Sequence, residues 1–280
     1  MSKFVRLYNH VVTLGLDKNI RQPEPGQALD FQTVHCPDYL QELAINEVDS
    51  KAWRAVGLPW SEGLVERTFT APKGTLLTAQ LAMEHGLACH LAGGTHHAHY
   101  DHGSGFCMLN DLAFAAVGML QHPSVKKILI FDLDVHQGDG TASILSDRED
   151  IFTCSIHCEK NFPFRKSKSD LDVGLEKGIQ DEEYLKVVMD ALEILIEQEK
   201  PDLILYDAGV DVWEYDALGH MHVSWEGIQQ RDREVIEYCL RRHIPVATVI
   251  GGGYDRDHQR LAERHGIVIE TASGLFNRLG

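Results

Sequence analysis

Within the 280 residues of the chain, Asp132-Leu133-Asp134-Val135-His136 concentrates groups that can hold a metal ion. An apolar run leads straight into it. If the strand continues through this stretch, Asp132, Asp134 and His136 project to one side. Two carboxylates turned into a buried rim repel each other unless a cation or a proton lies between them. Asp with neutral His suits Zn²⁺ or Fe²⁺. A solvated strand end with a capping Asp is the plain alternative. A third protein ligand would leave a position open for water, as in catalytic sites. Asp211, closing the stretch Asp207-Ala208-Gly209-Val210-Asp211, is the best candidate, although alone it reads as a turn residue.

His96 and His97 follow Gly93-Gly94, where glycine lets the backbone turn and approach a ligand closely. With three ligands supplied elsewhere, these imidazoles are better used on water. A divalent ion lowers the pKa of a bound water toward ~7, and a nearby imidazole can take its proton. A carboxylate on the far ring nitrogen tunes such a base, and Asp132 and Asp139 are the available partners. His99 and His102 read as exposed loop residues. Gly251-Gly252-Gly253-Tyr254 sets a phenol after a glycine turn, where it can donate to an oxyanion or simply pack at a helix start. The triple glycine is neither a Walker nor a dinucleotide fingerprint. Cys107 reads as buried packing, and Phe106 as tunnel lining or core.

The elements that must position these groups alternate. Strands are expected at 88–92, 128–133, 151–156, 203–206 and 246–250, short and rich in Ile, Val and Leu as parallel strands buried on both faces should be. Helices are expected at 75–84, 110–120, 181–198 and 224–241. The third repeats Tyr184, Val187, Val188, Ala191, Leu192 and Leu195 at helical spacing, with Asp181 as its cap, and Ser224 caps the fourth. Residues 17–30 are the most loop-like and read as a flap. The pattern predicts an α/β fold with one open parallel sheet covered by helices on both faces. Four strands then carry polar clusters at their C-terminal ends, the rim where open α/β sheets bind ligands.

Composition narrows the class. Hydrophobic residues at 44% and charged residues at 24% are ordinary for a globular protein, and nothing divides residues 1–280 into more than one domain. Lys and Arg number 26 against 42 Asp and Glu, a net charge of −16 that repels phosphate backbones, so nucleic acid is not an expected partner. The one basic run, Arg165-Lys166-Ser167-Lys168, reads as a solvated loop. No apolar run approaches the ~20 residues of a membrane span, and the N-terminus carries no signal-peptide pattern. The six cysteines form no Cys-x-x-Cys, which favours reduced thiols in a cytoplasmic protein. Histidine is the outlier, with 16.

GGTHHAHYDHGSGFCMLND (93–111), DLDVHQGDG (132–140), DAGVD (207–211) and GGGY (251–254), in this order, resemble the zinc-dependent histone deacetylase superfamily. DVHQGDG and DALGHMHVSWEGI look like its class IV-type members, including bacterial ones. The similarity runs from about residue 34 to residue 254. It implies an arginase–deacetylase fold and Zn²⁺ on Asp134, His136 and Asp211, with Fe²⁺ as the other metal. It implies His97 as principal general base and acid, paired to Asp139, and His96 as electrostatic partner, paired to Asp132. Tyr254 would bind the amide carbonyl oxygen and then the oxyanion. Phe106 and Phe162 would line an acyl-lysine tunnel, with Gly105 and Leu218 nearby. A structural K⁺ would use the Asp132 carboxylate, Ser155 and backbone oxygens of Asp132, Asp134, His136 and Ile156.

Three departures from that family's pattern stand out. Its members carry a first strand and a His-Arg element before the point where MSKF begins. Asp207 occupies a position where an amide is more usual, and if buried it needs a proton, a cation or a donor. The segment around Phe162 is divergent. The expected reaction is hydrolysis of an N-acyl amide, of an acyl-lysine protein or peptide first, with acetylpolyamines or another small acylated amine as the alternative. A binuclear ureohydrolase would share the fold, but Asp207 and Asp211 lie four apart rather than in a paired DxD, and Tyr254 has no use there. A reader that binds acylated ligands without turnover is the non-enzyme alternative.

Overall fold

The protein is described by a computed structural model covering residues 2–279. Six strands form one parallel sheet: β1 (Leu87–Cys89), β2 (Ile128–Asp132), β3 (Ile151–Cys158), β4 (Leu171–Leu175), β5 (Leu203–Asp207) and β6 (Val246–Val249), in the spatial order β1-β6-β5-β2-β3-β4. The helices are α1 (Ser2–Thr13), α2 (Pro37–Ile45), α3 (Ser50–Val56), α4 (Glu62–His85), α5 (Asp111–Met119), α6 (Asp139–Leu145), α7 (Asp181–Glu199), α8 (Trp225–Leu240) and α9 (His258–Leu279).

Strand alternation sorts the core into two layers. Leu129 and Phe131 of β2 and Ile204 and Tyr206 of β5 pack with α7, α8 and α9 through Leu192, Val235 and Leu261. Their neighbours Ile128, Ile130, Leu203 and Leu205 pack on the opposite face with Ala79 of α4 and Leu112 of α5. Every residue of β2, β5 and β6 is buried. A period of two with both phases apolar is what a strand covered on both faces requires. The expected single parallel sheet between helical layers is therefore the observed one.

Several boundaries differ from the sequence reading. The edge strand β4, which begins three residues after the basic run 165–168, was not among the expected strands. Asp172 and Gly174 interrupt its apolar character, because only one side of an edge strand is covered. The helix expected at 75–84 is the second half of α4, which starts at Glu62, runs through Pro72 and is capped by Ser61. Segment 17–30 is pinned at its end: Gly26 N–H donates to the Phe69 carbonyl (3.2 Å), and Phe31 just beyond is fully buried. Asp181 does not cap α7. Its carboxylate accepts from Ser224 N and Oγ (2.7 and 2.5 Å), while Ser224 Oγ caps α8 through Gly227 N–H (2.9 Å). One carboxylate thereby ties the starts of two helices together.

Candidate active site

The C-terminal ends of β1, β2, β5 and β6 converge, and each feeds one of the polar clusters. β2 ends at Asp132, so Asp134 and His136 are carried by the bend after the strand and not by strand alternation. This divides the run into two groups. Asp134, His136 and Asp211 bring ligand atoms within 4.8 Å of one another, all buried, whereas Asp132 joins His96 and Asp207 in a separate buried group.

In the first group His136 Nδ1 lies 3.0 Å from Asp134 Oδ1 and 3.3 Å from Asp211 Oδ2. Backbone donors hold the other carboxylate oxygens: Gly252 N–H bonds Asp134 Oδ2 (2.7 Å) and Val135 N–H bonds Asp211 Oδ1 (2.9 Å). Asp211 Oδ2 accepts no hydrogen bond. A Cβ on Gly252 would fall 2.1 Å from Asp211 Oδ2 and 2.5 Å from Asp134 Oδ2, so only glycine lets the backbone close over these carboxylates. Burial opposes a charged His136, yet Asp134 and Asp211 raise it to about 10. Two carboxylates in a closed site call for a cation, and one imidazole with two carboxylate oxygens is a donor set that fits a divalent ion. Asp134, His136 and Asp211 are the residues that could hold it.

Beside this group stand two His–Asp pairs. His96 Nδ1 lies 2.7 Å from Asp132 Oδ2, and His97 Nδ1 lies 2.6 Å from Asp139 Oδ1. The two imidazoles meet at Nε2, 3.1 Å apart. Burial works against a charged His96, but Asp132 and Asp134 outweigh it and raise its pKa well above the ordinary imidazole value. Burial, then the neighbouring His96 charge, push His97 down to about 4. His99 is not an exposed loop residue: it is half-buried, and its Nε2 lies 3.2 Å from Asp139 Oδ2, so Asp139 is held from both sides.

Tyr254 is fixed through its backbone N–H, which donates to Asp216 Oδ2 (2.7 Å). Its ring lies 6.3 Å from that of His136 and 5.6 Å from that of Phe106. Burial raises the phenol pKa well above its usual value, with Asp211 and Asp134 adding to the effect. Phe162 sits edge-on to His97 at 4.8 Å. Gly105, at φ +51°, brings the chain so near that a Cβ would meet the His97 ring at 2.6 Å and Phe162 at 3.0 Å. Asn161 Nδ2 donates to the carbonyls of Leu218 and Gly219 (2.9 and 2.8 Å), joining the loops of Phe162 and Leu218. A cavity of about 700 Å³ reaches His96, His97, Asp134, Phe106 and Tyr254. Ser155 Oγ lies 3.0 Å from His157 Nδ1, and Ser155 is the register partner of Asp132 across β2 and β3. Lys166 is not simply solvated, since it donates to the carbonyls of Asn161 and Pro163 (2.7 and 2.8 Å). Cys107 is buried and free, as expected.

Two supports were invisible as chemistry in the sequence. Asn110 and Asp111 clamp the segment carrying His96 and His97. Asn110 Nδ2 donates to the carbonyls of His96 (3.3 Å) and Ala98 (3.1 Å), while Asp111 accepts from Gly94 N–H, Thr95 N–H and Thr75 Oγ1 (3.1, 2.7 and 2.5 Å). Their signal was present, an Asn-Asp pair opening a helix, but it reads as capping alone. Arg231 of α8 is fully buried and donates to the carbonyls of Gly209 (2.7 Å) and Ala208 (3.3 Å), holding the loop that ends at Asp211. Its position between Ile228 and Val235 on the apolar stripe was the available clue.

A family model described as "Histone deacetylase domain" matches residues 1–270. An uncharacterised protein of Picosynechococcus sp. is 47% identical over 99% of this chain and 93% of its own length. Histone deacetylase 2 of Arabidopsis thaliana is 28% identical over 93% of this chain and 70% of its own. Among solved structures, an acetylpolyamine aminohydrolase from Burkholderia pseudomallei superposes with a TM-score of 0.76 at 20% identity, covering 98% of this chain and 90% of that one, which establishes the shared fold. The chain belongs to the histone deacetylase domain family, and with it to the hydrolases of acyl amides.

Proposed function

We propose that the protein is a metal-dependent N-acyl amide hydrolase whose first substrate class is acyl-lysine in a protein or peptide. The observation that carries this reading is the juxtaposition, at one rim, of a buried Asp–His–Asp donor set with two His–Asp pairs and a phenol. A divalent ion on Asp134, His136 and Asp211, zinc in the first instance or Fe²⁺, would supply Lewis-acid polarisation of the amide carbonyl and a lowered water pKa.

The chain's own groups divide the remaining work. Asp139 accepts a hydrogen bond from His97 Nδ1–H, which leaves the lone pair on His97 Nε2, 3.1 Å from His96 Nε2, as the one that would take a proton from water and return it to the departing amine. Asp132 fixes His96 beside it as the electrostatic partner. The raised pKa keeps Tyr254 protonated, so its hydroxyl donates to the carbonyl oxygen and then to the oxyanion. Phe106, Phe162, Gly105 and Leu218 border the passage for the acyl-lysine stem and exclude water from it. Asp132 and Ser155, register partners across β2 and β3, would contribute to a structural K⁺ site.

Turnover on lysine peptides carrying acetyl to myristoyl chains, together with acetylated polyamines, tests the reading. The polyamines are included because the Burkholderia protein is an acetylpolyamine aminohydrolase. Tyr254→Phe should lower kcat by ~10²–10³, the usual loss for one oxyanion donor. Undiminished turnover in that variant would remove Tyr254 from the mechanism. Product from polyamines alone would replace acyl-lysine as the substrate class.

A further inference from the structure

The carboxylate of Asp216 joins two loops of the candidate site, and its side chain is fully buried. Oδ1 accepts from Leu218 N–H (2.9 Å) and Gly219 N–H (3.2 Å), in the loop after β5. Oδ2 crosses to the loop after β6 and accepts from Tyr254 N–H (2.7 Å). Ala217 N–H reaches the Tyr254 carbonyl at 3.5 Å, so Tyr254 is held through both of its backbone polar groups. The same loop lies against the end of the 207–211 segment, where a Cβ on Gly219 would fall 2.3 Å from the Asp211 carbonyl oxygen. Beneath stands Arg264 of α9, fully buried, its guanidinium carbon 3.9 Å from the centre of the Trp213 ring. Arg264 Nη2 lies 3.8 Å from Asp216 Oδ2, and Nη1 donates to Oδ2 of Asp255, the residue after Tyr254 (3.3 Å).

We propose that Asp216, backed by Arg264, is a positioning residue for the hydrolysis: it locks the Tyr254 backbone and the Leu218 border of the passage into one body, and so aims the phenol at the carbonyl oxygen. The proposal rests on the hydrolase reading above. A turn aspartate that only closed residues 216–219 would need Oδ1 alone, whereas Oδ2 bonds a residue 38 positions away. Both oxygens must accept, which is what an ionised carboxylate provides and an amide does not. Asparagine in this place would turn its NH₂ toward either Tyr254 N–H or the Leu218 and Gly219 N–H groups, so one link breaks whichever way it faces. Burial, then the nearby Asp211, raise the pKa of Asp216 to about 7, while the Leu218 and Tyr254 N–H groups and Arg264 favour its charged form. The lock matters because an oxyanion donor works only within a few tenths of an ångström of its target distance. A misplacement of ~1 Å can cost ~10²-fold in rate.

A double-mutant cycle and a structure test this separately. Turnover of the best acyl-amine substrate is measured for the wild type, Asp216→Asn, Asp216→Ala, Tyr254→Phe and the two double variants. Each Asp216 substitution should lower kcat by ~10–10², with the larger loss in Asp216→Ala, which breaks both links. In the Tyr254→Phe background the same substitutions should cost less than about threefold, because residues that act as a unit are not additive. Equal losses in the two backgrounds would overturn the proposal, since Asp216 would then act through another group. Undiminished kcat in both single variants would overturn it as well. Crystals of the wild type and the Asp216 variants read the geometry without turnover. The expected result is a Tyr254 backbone displaced from the Leu218 loop, with Asp134, His136 and Asp211 in place. Tyr254 and Leu218 unmoved in both variants would overturn the lock. A wild type inactive on every acyl amine, with the loops parted in the variants, would remove the hydrolase reading and leave Asp216 as the tie between the two loops.

Discussion

His35 uses its two ring nitrogens in opposite senses. Nδ1 donates to the His99 carbonyl (2.9 Å) and Nε2 accepts from Asn110 N–H (2.8 Å). Only the neutral ring can do both, and burial pushes its pKa down to about 4. The folded value lies below the ordinary ~6.5, so the unfolded chain binds the proton first as pH falls. The stability that depends on neutral His35 is complete above pH ~6.5 and lost between that value and pH ~4, a change on the order of 3 kcal/mol. Urea unfolding of the wild type and His35→Gln at pH 7.5, 6 and 5 should show a shallower decline for the variant. Parallel declines would mean that His35 does not carry this linkage. No chemical role was assigned to His35 in the sequence, because its function is to buttress Asn110 and the His99 backbone through tertiary contacts.

Elements enter through their ends. Each strand that feeds the site stops where its polar cluster begins, and the loops are then held by neighbouring helices: α5 through Asn110 and Asp111, and α8 through Arg231. Asn110 also caps α5, its Oδ1 accepting from Ala113 N–H (2.9 Å). Asn110→Ala removes that cap, worth about 1 kcal/mol. It also strips donors from two buried carbonyls, a further ~1–3 kcal/mol. Denaturant unfolding should report a loss of ~2–4 kcal/mol with kcat falling too, because the segment bearing His96 and His97 loosens. A loss below ~0.5 kcal/mol would show that water replaces the amide fully. The strands β2, β5 and β6 were legible because their apolar runs are continuous. β4 was not, because an edge strand carries polar residues and glycine that mimic a loop, and α4 was shortened because Pro72 within it reads as a breaker.

Across the whole molecule, a chain of net charge −16 gathers Asp132, Asp134, Asp207 and Asp211 at the ends of two central strands. Folding forces these carboxylates out of water, so bound cations should stabilise the fold as well as serve chemistry. A ligand present at ~1,000 times its Kd adds about 4 kcal/mol. Chelator treatment should therefore lower Tm, and added Zn²⁺ should restore it in a concentration-dependent way. Coincident melting curves with and without the ion would remove the Asp134–His136–Asp211 assignment.

The two-phase apolar strands and the polar residues at their ends fixed the parallel sheet, its C-terminal rim and the identity of the groups gathered there, because strand burial and ligand chemistry are both written locally. Only the tertiary structure decided how those groups divide. Asp132, two residues from Asp134, belongs with His96 and Asp207, because β2 ends at Asp132 and the chain bends before Asp134. Only packing could bury Asp207 without a partner, set His99 against Asp139 and aim Arg231 at the carbonyls before Asp211, since each depends on chain segments far apart in sequence.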